Sequence, residues 1–324
     1  MIEIVPFEPG SGDRWNQFVE TAKNGHFMFD RRYMDYHQDR FSDSSLMFLK
    51  KGQLVAVLPA HEQFGNETVP SAIISHGGLS FGGFITGRTM GARLMLEVID
   101  ALLALMKEKG WSHLRYAAVP HIYHAYPAEE DLLALMTRGA LRIETKVSCA
   151  LRIGSPPGYG KSRRNLINHA KRQVGAPEIR EYDDVAAFHQ LVSDFLEKRH
   201  NATPVHSLEE LELLIGRFPK HMKMFAAHRG RELLAVEMVY VSPTCYRLQY
   251  KASTEEGSAC HAADLIEDYL IQEYAKPGRW LDFGTSMNPE SQRLDKTLIQ
   301  YKESFGARTI LQSVYQLDTE QMVQ

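Results

Sequence analysis

Paired cysteines are missing from this chain. It has three in 324 residues, Cys149, Cys245 and Cys260, at no paired spacing. An odd and scattered set excludes a disulfide framework and suits a reducing compartment. Also missing is any apolar run near the roughly 20 residues that span a bilayer. The opening Met1-Ile2-Glu3-Ile4-Val5-Pro6 lacks both the basic and the apolar part of a signal peptide, so a cytoplasmic location is expected. Charge of one sign is scarce as well. A net charge of −3 gives no general attraction to DNA or to a membrane surface, so any phosphate binding must be local. The 14 histidines are scattered, and His121 and His124 have no carboxylate or cysteine beside them at metal-ligand spacing. No metal is expected.

What the chain does have is a repeat. Lys51-Gly52-Gln53-Leu54-Val55-Ala56-Val57 returns as Gly230-Arg231-Glu232-Leu233-Leu234-Ala235-Val236, at an offset of 179. Gly110-Trp111 to Tyr116 returns as Gly278 to Phe283, with Leu114 and Leu281 at an offset of 167, and Gly139-Ala140 returns as Gly306-Ala307 at the same 167. Two copies of one unit, the second with a loop about twelve residues shorter, account for both offsets. With 44% hydrophobic residues the chain can bury two domain-sized cores, and ligand sites are expected in the cleft that two such lobes create.

In each half, strands of alternating or continuous apolar residues are followed by helices of period 3.6. Examples are the strand-like runs 45–49, 54–58, 72–75, 222–227, 232–241 and 245–252, and the helix-like runs 88–109 and 258–275. The resulting β-β-β-α-β-α-β order in both halves predicts an α/β fold with mixed sheets, built as two tandem lobes over 1–153 and 154–324. The punctuated stretch Gly154-Ser155-Pro156-Pro157-Gly158-Tyr159-Gly160 marks the boundary. With Lys161 and Ser162 it imitates a P-loop, but Ser155 stands where that motif needs glycine, and two prolines lack the N–H groups that hold phosphate.

The text near the C-terminus is more specific. Trp280-Leu281-Asp282-Phe283-Gly284-Thr285-Ser286, Tyr301-Lys302-Glu303-Ser304-Phe305-Gly306-Ala307-Arg308 and Gln249-Tyr250-Lys251-Ala252-Ser253 resemble the GNAT acyltransferases in their duplicated, Fem-like (FemABX-like) form. The glycine-rich His76 to Gly83 and the basic Ser162 to Lys171 support the resemblance, which covers nearly the whole chain. It implies that two neighbouring strands of a lobe, here 245–252 and 280–286, part to admit an acyl donor. It also implies acyl-CoA as co-substrate, with its diphosphate on the turn after the fourth strand. That turn reads Thr254-Glu255-Glu256-Gly257-Ser258-Ala259, where Gly257, Ser258 and Ala259 permit close approach while both glutamates oppose phosphate.

Glu237 is the first candidate for a general base. It interrupts an apolar strand whose counterpart in the first half is Leu58, and a buried carboxylate takes a raised pKa suited to removing a proton from an amine or hydroxyl. The bland alternative is a structural ion pair. Asp282, beside the expected gap, is the second, its alternative being a helix cap or a pair with Arg308. Tyr250 and Gln249 would hydrogen-bond acceptor or leaving group, unless Tyr250 merely packs. Lys302, Arg163 and Arg164 would clamp a diphosphate, and His76 in its glycine-rich stretch would meet substrate; a solvated helix face and a hairpin are the alternatives.

Together these features imply an N-acyltransferase acting on an amine or hydroxyl of a sugar or cell-envelope precursor, as in polysaccharide biosynthesis. An aminoacyl-tRNA-dependent enzyme of peptidoglycan is the second reading, less favoured because no helical-hairpin insertion is apparent between 258–275 and 280–286. A catalytically silent scaffold of polysaccharide assembly is the third.

Overall fold

A computed structural model describes residues 1–65, 71–288, 291 and 293–320. The chain forms two compact units, Met1–Lys146 with Leu311–Gln324, and Val147–Ile310.

The first unit contains β1 (Ile2–Pro6), α1 (Gly12–Thr21), α2 (Arg31–Met34), β2 (Leu46–Lys50), β3 (Gln53–Leu58), β4 (Ala60–Gln63), β5 (Ala72–Ser75), β6 (Ile85–Thr86), α3 (Ala92–Lys109), β7 (His113–Ala117), α4 (Glu130–Thr137) and the start of β8 (Leu141–Arg152). Strands β1-β2-β3-β6 make an antiparallel sheet. A second ladder pairs β4 with β5 antiparallel and β5 with β7 in parallel. Helix α3 forms because Met95, Val98, Ile99, Leu102 and Met106 recur at helical spacing and bury one stripe, and Gly110 ends it in the left-handed region at φ 73°.

The second unit takes β8 from Val147 onward and adds α5 (Lys161–Arg172), β9 (Glu178–Tyr182), α6 (Val185–His200), α7 (Leu208–Arg217), β10 (Met222–Arg229), β11 (Glu232–Val241), β12 (Cys245–Ser253), α8 (Glu255–Ala259), α9 (Ala262–Tyr269), β13 (Trp280–Thr285) and α10 (Lys296–Ser304). Its sheet runs β8-β13-β12-β11-β10-β9, antiparallel except for β12 with β13. The last strand, β14 (Arg308–Asp318), crosses into the first unit, where Val314–Asp318 pair with β7.

Both units therefore send a strand into a helix and pair it, in parallel, with the strand that follows: β5–α3–β7 and β12–α9–β13. Both also carry the repeated hairpin, with Gly52 at φ 75° and Gly230 at φ 60° in the turns. The duplication is present and the fold is α/β with mixed sheets. One expected element differs. The run 258–275 is not a single helix but α8, α9 and a π-helical turn over Leu270–Tyr274, broken at His261, which sits at φ 61°. Strands β1, β4, β6 and β9 were not legible in the sequence; each is short or pairs at an edge, where apolar periodicity is weak. Among the described residues no helix is long and apolar enough to cross a membrane.

Candidate functional site

Strands β12 and β13 pair only at their starts, Cys245 with Trp280, Tyr246 with Leu281 and Arg247 with Asp282. Past that point β12 continues for six residues and β13 for three without a further described pair. A bulge contributes. In the ladder with β11, Val239 faces Leu248 and Met238 faces Tyr250, so Gln249 is the extra residue. Extra residues of this kind bend and twist their strand, here at the level where β13 leaves it.

Register sorts the candidates between the two faces of the sheet. Glu237 pairs with Lys251, whereas Asp282 pairs with Arg247, which pairs with Tyr240. Residues 237 and 240 of one regular strand point to opposite faces. Glu237 and Asp282 therefore cannot share one site. Tyr250, opposite Met238, lies on the Asp282 face.

On the first face, packed against α9, Glu237 is fully buried and neither carboxyl oxygen has a hydrogen-bond partner. Burial, with the charge of Glu267 next, holds its carboxyl well above the usual carboxylate range, against the pull of Lys251. Lys251 Nζ donates to Glu267 Oε1 at 2.7 Å and to the Tyr301 hydroxyl at 2.6 Å. The same phenol oxygen lies 2.6 Å from Asp264 Oδ1 and 2.5 Å from Glu267 Oε2. A phenol has one proton to give. It donates to one of the two carboxylates, while Lys251 donates to its oxygen. Arg163 closes the cluster, 2.9 Å from Asp264 Oδ2, with its guanidinium 4.6 Å from the Tyr301 ring centroid and 4.3 Å from that of Phe305. Burial and both carboxylates raise the Tyr301 pKa, so the hydroxyl stays protonated. Tyr301 of α10 thereby ties Lys251, on the part of β12 beyond its pairs with β13, to the acids of α9.

On the other face Asp282 is also fully buried, yet its oxygens are taken. Ser148 Oγ and the Gly284 amide, the latter at 2.8 Å, donate to Oδ1, and Arg247 donates to Oδ2 at 3.3 Å. The partner expected as its bland alternative, Arg308, is replaced by Arg247. Tyr250 and His206 Nδ1 are 2.6 Å apart, and Gln249 Oε1 accepts from Arg247 Nε at 3.2 Å.

The diphosphate clamp expected of Lys302, Arg163 and Arg164 is not assembled. Lys302 is buried and spends its three donors on Gly284 O (2.7 Å), Thr285 O (2.5 Å) and Ser286 Oγ (3.0 Å); burial lowers its pKa to about 8. Arg163 is committed to Asp264 and to Ser304 Oγ at 2.9 Å, which leaves Arg164 exposed alone. The turn that the resemblance assigns to coenzyme A fits a diphosphate no better. Gly257 N donates to Thr254 Oγ1 at 2.9 Å and Ser258 N to Thr254 O at 2.9 Å, which leaves Ala259 without neighbouring donors to complete a cradle. A Cβ on Gly257 would stand 2.0 Å from Leu234 O, so glycine is required there by packing of α8 on β11. His76, in the first unit, is buried among His37, His61 and Phe41, and burial lowers its pKa to about 4.

Sequence reasoning missed Asp264, Glu267 and Asp268, all buried on α9. Their signal was available: three acids at helical spacing within the otherwise apolar 262–270. Among the described residues no group of His, Cys, Asp or Glu is placed to hold a metal ion.

Residues 160–303 match the family model of an acetyltransferase (GNAT) domain. No curated protein matches the sequence. Among solved structures the chain is similar to FemX, at 9% identity and TM-score 0.69 over 98% of this chain and 97% of that one. It is similar to the C-terminal domain of a putative lysylphosphatidylglycerol synthetase from Agrobacterium fabrum, at 12% identity and TM-score 0.55 over 90% and 91%. It is also similar to a tandem GNAT protein from the clavulanic acid biosynthesis pathway, at 11% identity and TM-score 0.52 over 98% and 99%. The fold is thus that of two tandem GNAT-like lobes, the second of which contains the stretch similar to the GNAT domain model.

Proposed function

We propose that the chain is an N-acyltransferase whose reaction centre is the gap between β12 and β13. The observation that carries this reading is the three-pair ladder of β12 with β13, with Lys251 on the unpaired stretch of β12 bonded to Tyr301. Main-chain groups released by the parting hold the carbonyl of an activated acyl donor and stabilise the oxyanion of the tetrahedral intermediate. An amine, or a hydroxyl, of a sugar or cell-envelope precursor attacks that carbonyl. Tyr301, kept protonated, gives its proton to the departing group. Lys251, hydrogen-bonded to the phenol, returns a proton to it and takes the acceptor's proton in exchange. Glu237, enclosed one strand behind, raises the pKa of that lysine. Asp282 and Lys302 hold the shape of β13.

One observation favours an aminoacyl ester over acyl-CoA as donor: the turn at Thr254–Ala259 has already used the N–H groups of Gly257 and Ser258. A likeness to a lysylphosphatidylglycerol synthetase domain agrees with an aminoacyl donor. The test supplies radiolabelled acetyl-CoA and lysyl-tRNA separately with an amine acceptor and follows acceptor-bound label. Transfer from either, reduced at least a hundredfold in Tyr301→Phe, is the expected result. Transfer from neither donor to any amino-sugar or phospholipid acceptor would remove the reading and leave the scaffold role.

A further inference from the structure

The second unit holds a cavity of about 730 Å³ that the reaction above does not use. It sits at the other end of β13 from the gap: Arg152, on its lining, pairs with Trp280 at the start of that strand. One wall is α5, which presents Arg164, Asn168 and Lys171 at i, i+4 and i+7. The facing wall is the end of α9 with the π-helical turn, a feature often found at functional sites, which brings Asp268, Ile271, Gln272 and Glu273 to the lining. Ile153, Ile167, Ile271 and Phe305 supply the apolar part.

The charges do not cancel. Lys171 Nζ reaches Asp268 Oδ2 at 2.5 Å and Tyr159 donates to Oδ1 at 2.7 Å, so that acid is answered within the wall. Arg152 and Arg164 then face only Glu273. Each spends a guanidinium N–H on a carbonyl, of Gly278 and Tyr159 respectively, at 3.2 Å, and a guanidinium has five. The volume lies within the range of small-molecule sites, and such sites join an apolar body to a few polar groups.

We propose that this cavity binds a small organic anion with an apolar body, its carboxylate or phosphate held by Arg164 and Arg152 and its hydrocarbon laid on Ile153, Ile167, Ile271 and Phe305. The Phe305 ring lies 5.6 Å from Tyr159 and 5.4 Å from Tyr301, so an occupant lies one ring from the buried phenol. The site stands apart from the transferase reading and is tested without activity. Calorimetry on the full chain compares decanoate, decyl phosphate, decanol and inorganic phosphate, all below micelle concentrations. The expected result is one-to-one binding of at least one decyl anion, with decanol and inorganic phosphate at least tenfold weaker; the better anion tells carboxylate from phosphate. Arg164→Glu, at an exposed position, should weaken that binding at least tenfold with an unchanged melting curve, and Ile271→Trp should block it by filling the space. Decanol binding as tightly as the anions, an unaffected Arg164→Glu, or no binding of either decyl anion would overturn the proposal.

Discussion

In the first unit Asp131 is buried against Tyr116, which donates its hydroxyl hydrogen to it, while the Phe84 amide donates to the phenol oxygen at 2.8 Å. In the second unit a phenol again meets buried acid, but Tyr301 is shared by two carboxylates and a lysine, and Glu237 lies behind with no hydrogen bond. The first arrangement is complete in itself. The second carries an unanswered acid, which is costly in a protein interior. At the place of Glu237 the first unit has Leu58, also fully buried. A core that accepts leucine in one copy and keeps an orphaned glutamate in the other is giving up stability at that position, as strained sites of function do.

The strongest way to break that comparison is to make the second unit resemble the first. Glu237→Leu should raise the melting temperature, since removing an unanswered buried carboxyl is worth about 1–3 kcal/mol. It should also lower acyl transfer by roughly 10²-fold, the lower end of what a proton-transfer group contributes, because Lys251 loses the acid behind it. A variant that is both less stable and fully active would end the catalytic assignment. Asp282→Ala tests the opposite face. It takes a buried acceptor away from Ser148, Arg247 and the Gly284 amide, so a loss of about 3 kcal/mol is expected in denaturant unfolding, with turnover per folded molecule largely kept. Gly257→Ala forces a methyl group towards Leu234 O, and a loss of about 1–3 kcal/mol is expected from overpacking. Unchanged stability with weakened donor affinity would instead restore the phosphate role of that turn.

The smallest effect concerns pH. Burial raises the Asp131 pKa to about 6, from an ordinary value of 3.8. Folding thus favours its protonated form, so its contribution is complete below about pH 4 and is lost as pH rises through 6. Asp131→Asn should flatten the stability profile over that window, and an unchanged profile would mean the acid is ionised in the folded chain.

Much of the fold was legible because its signals are local. Apolar spacing set α3, the paired glycines set the two hairpin turns, and segments returning at offsets of 179 and 167 exposed the duplication. Glu237 stood out for a related reason, as a charge where the sister copy has leucine. The rest depended on distance in the chain. Asp264 and Tyr301 are 37 residues apart and Ser148 and Asp282 are 134 apart, and no periodicity reports such a meeting. The clamp of Lys302 with Arg163 failed because a cation's partners are chosen in three dimensions.

By itself the sequence determined the repeat, the class of fold and the presence of one acid out of place. Tertiary structure alone decided that Glu237 and Asp282 lie on opposite faces, because a pleated sheet turns strand parity into sidedness only once the partner strand and its bulge are in register. It also decided which cations remain open to a ligand, because burial brings carbonyls and carboxylates to a lysine or arginine before any substrate arrives.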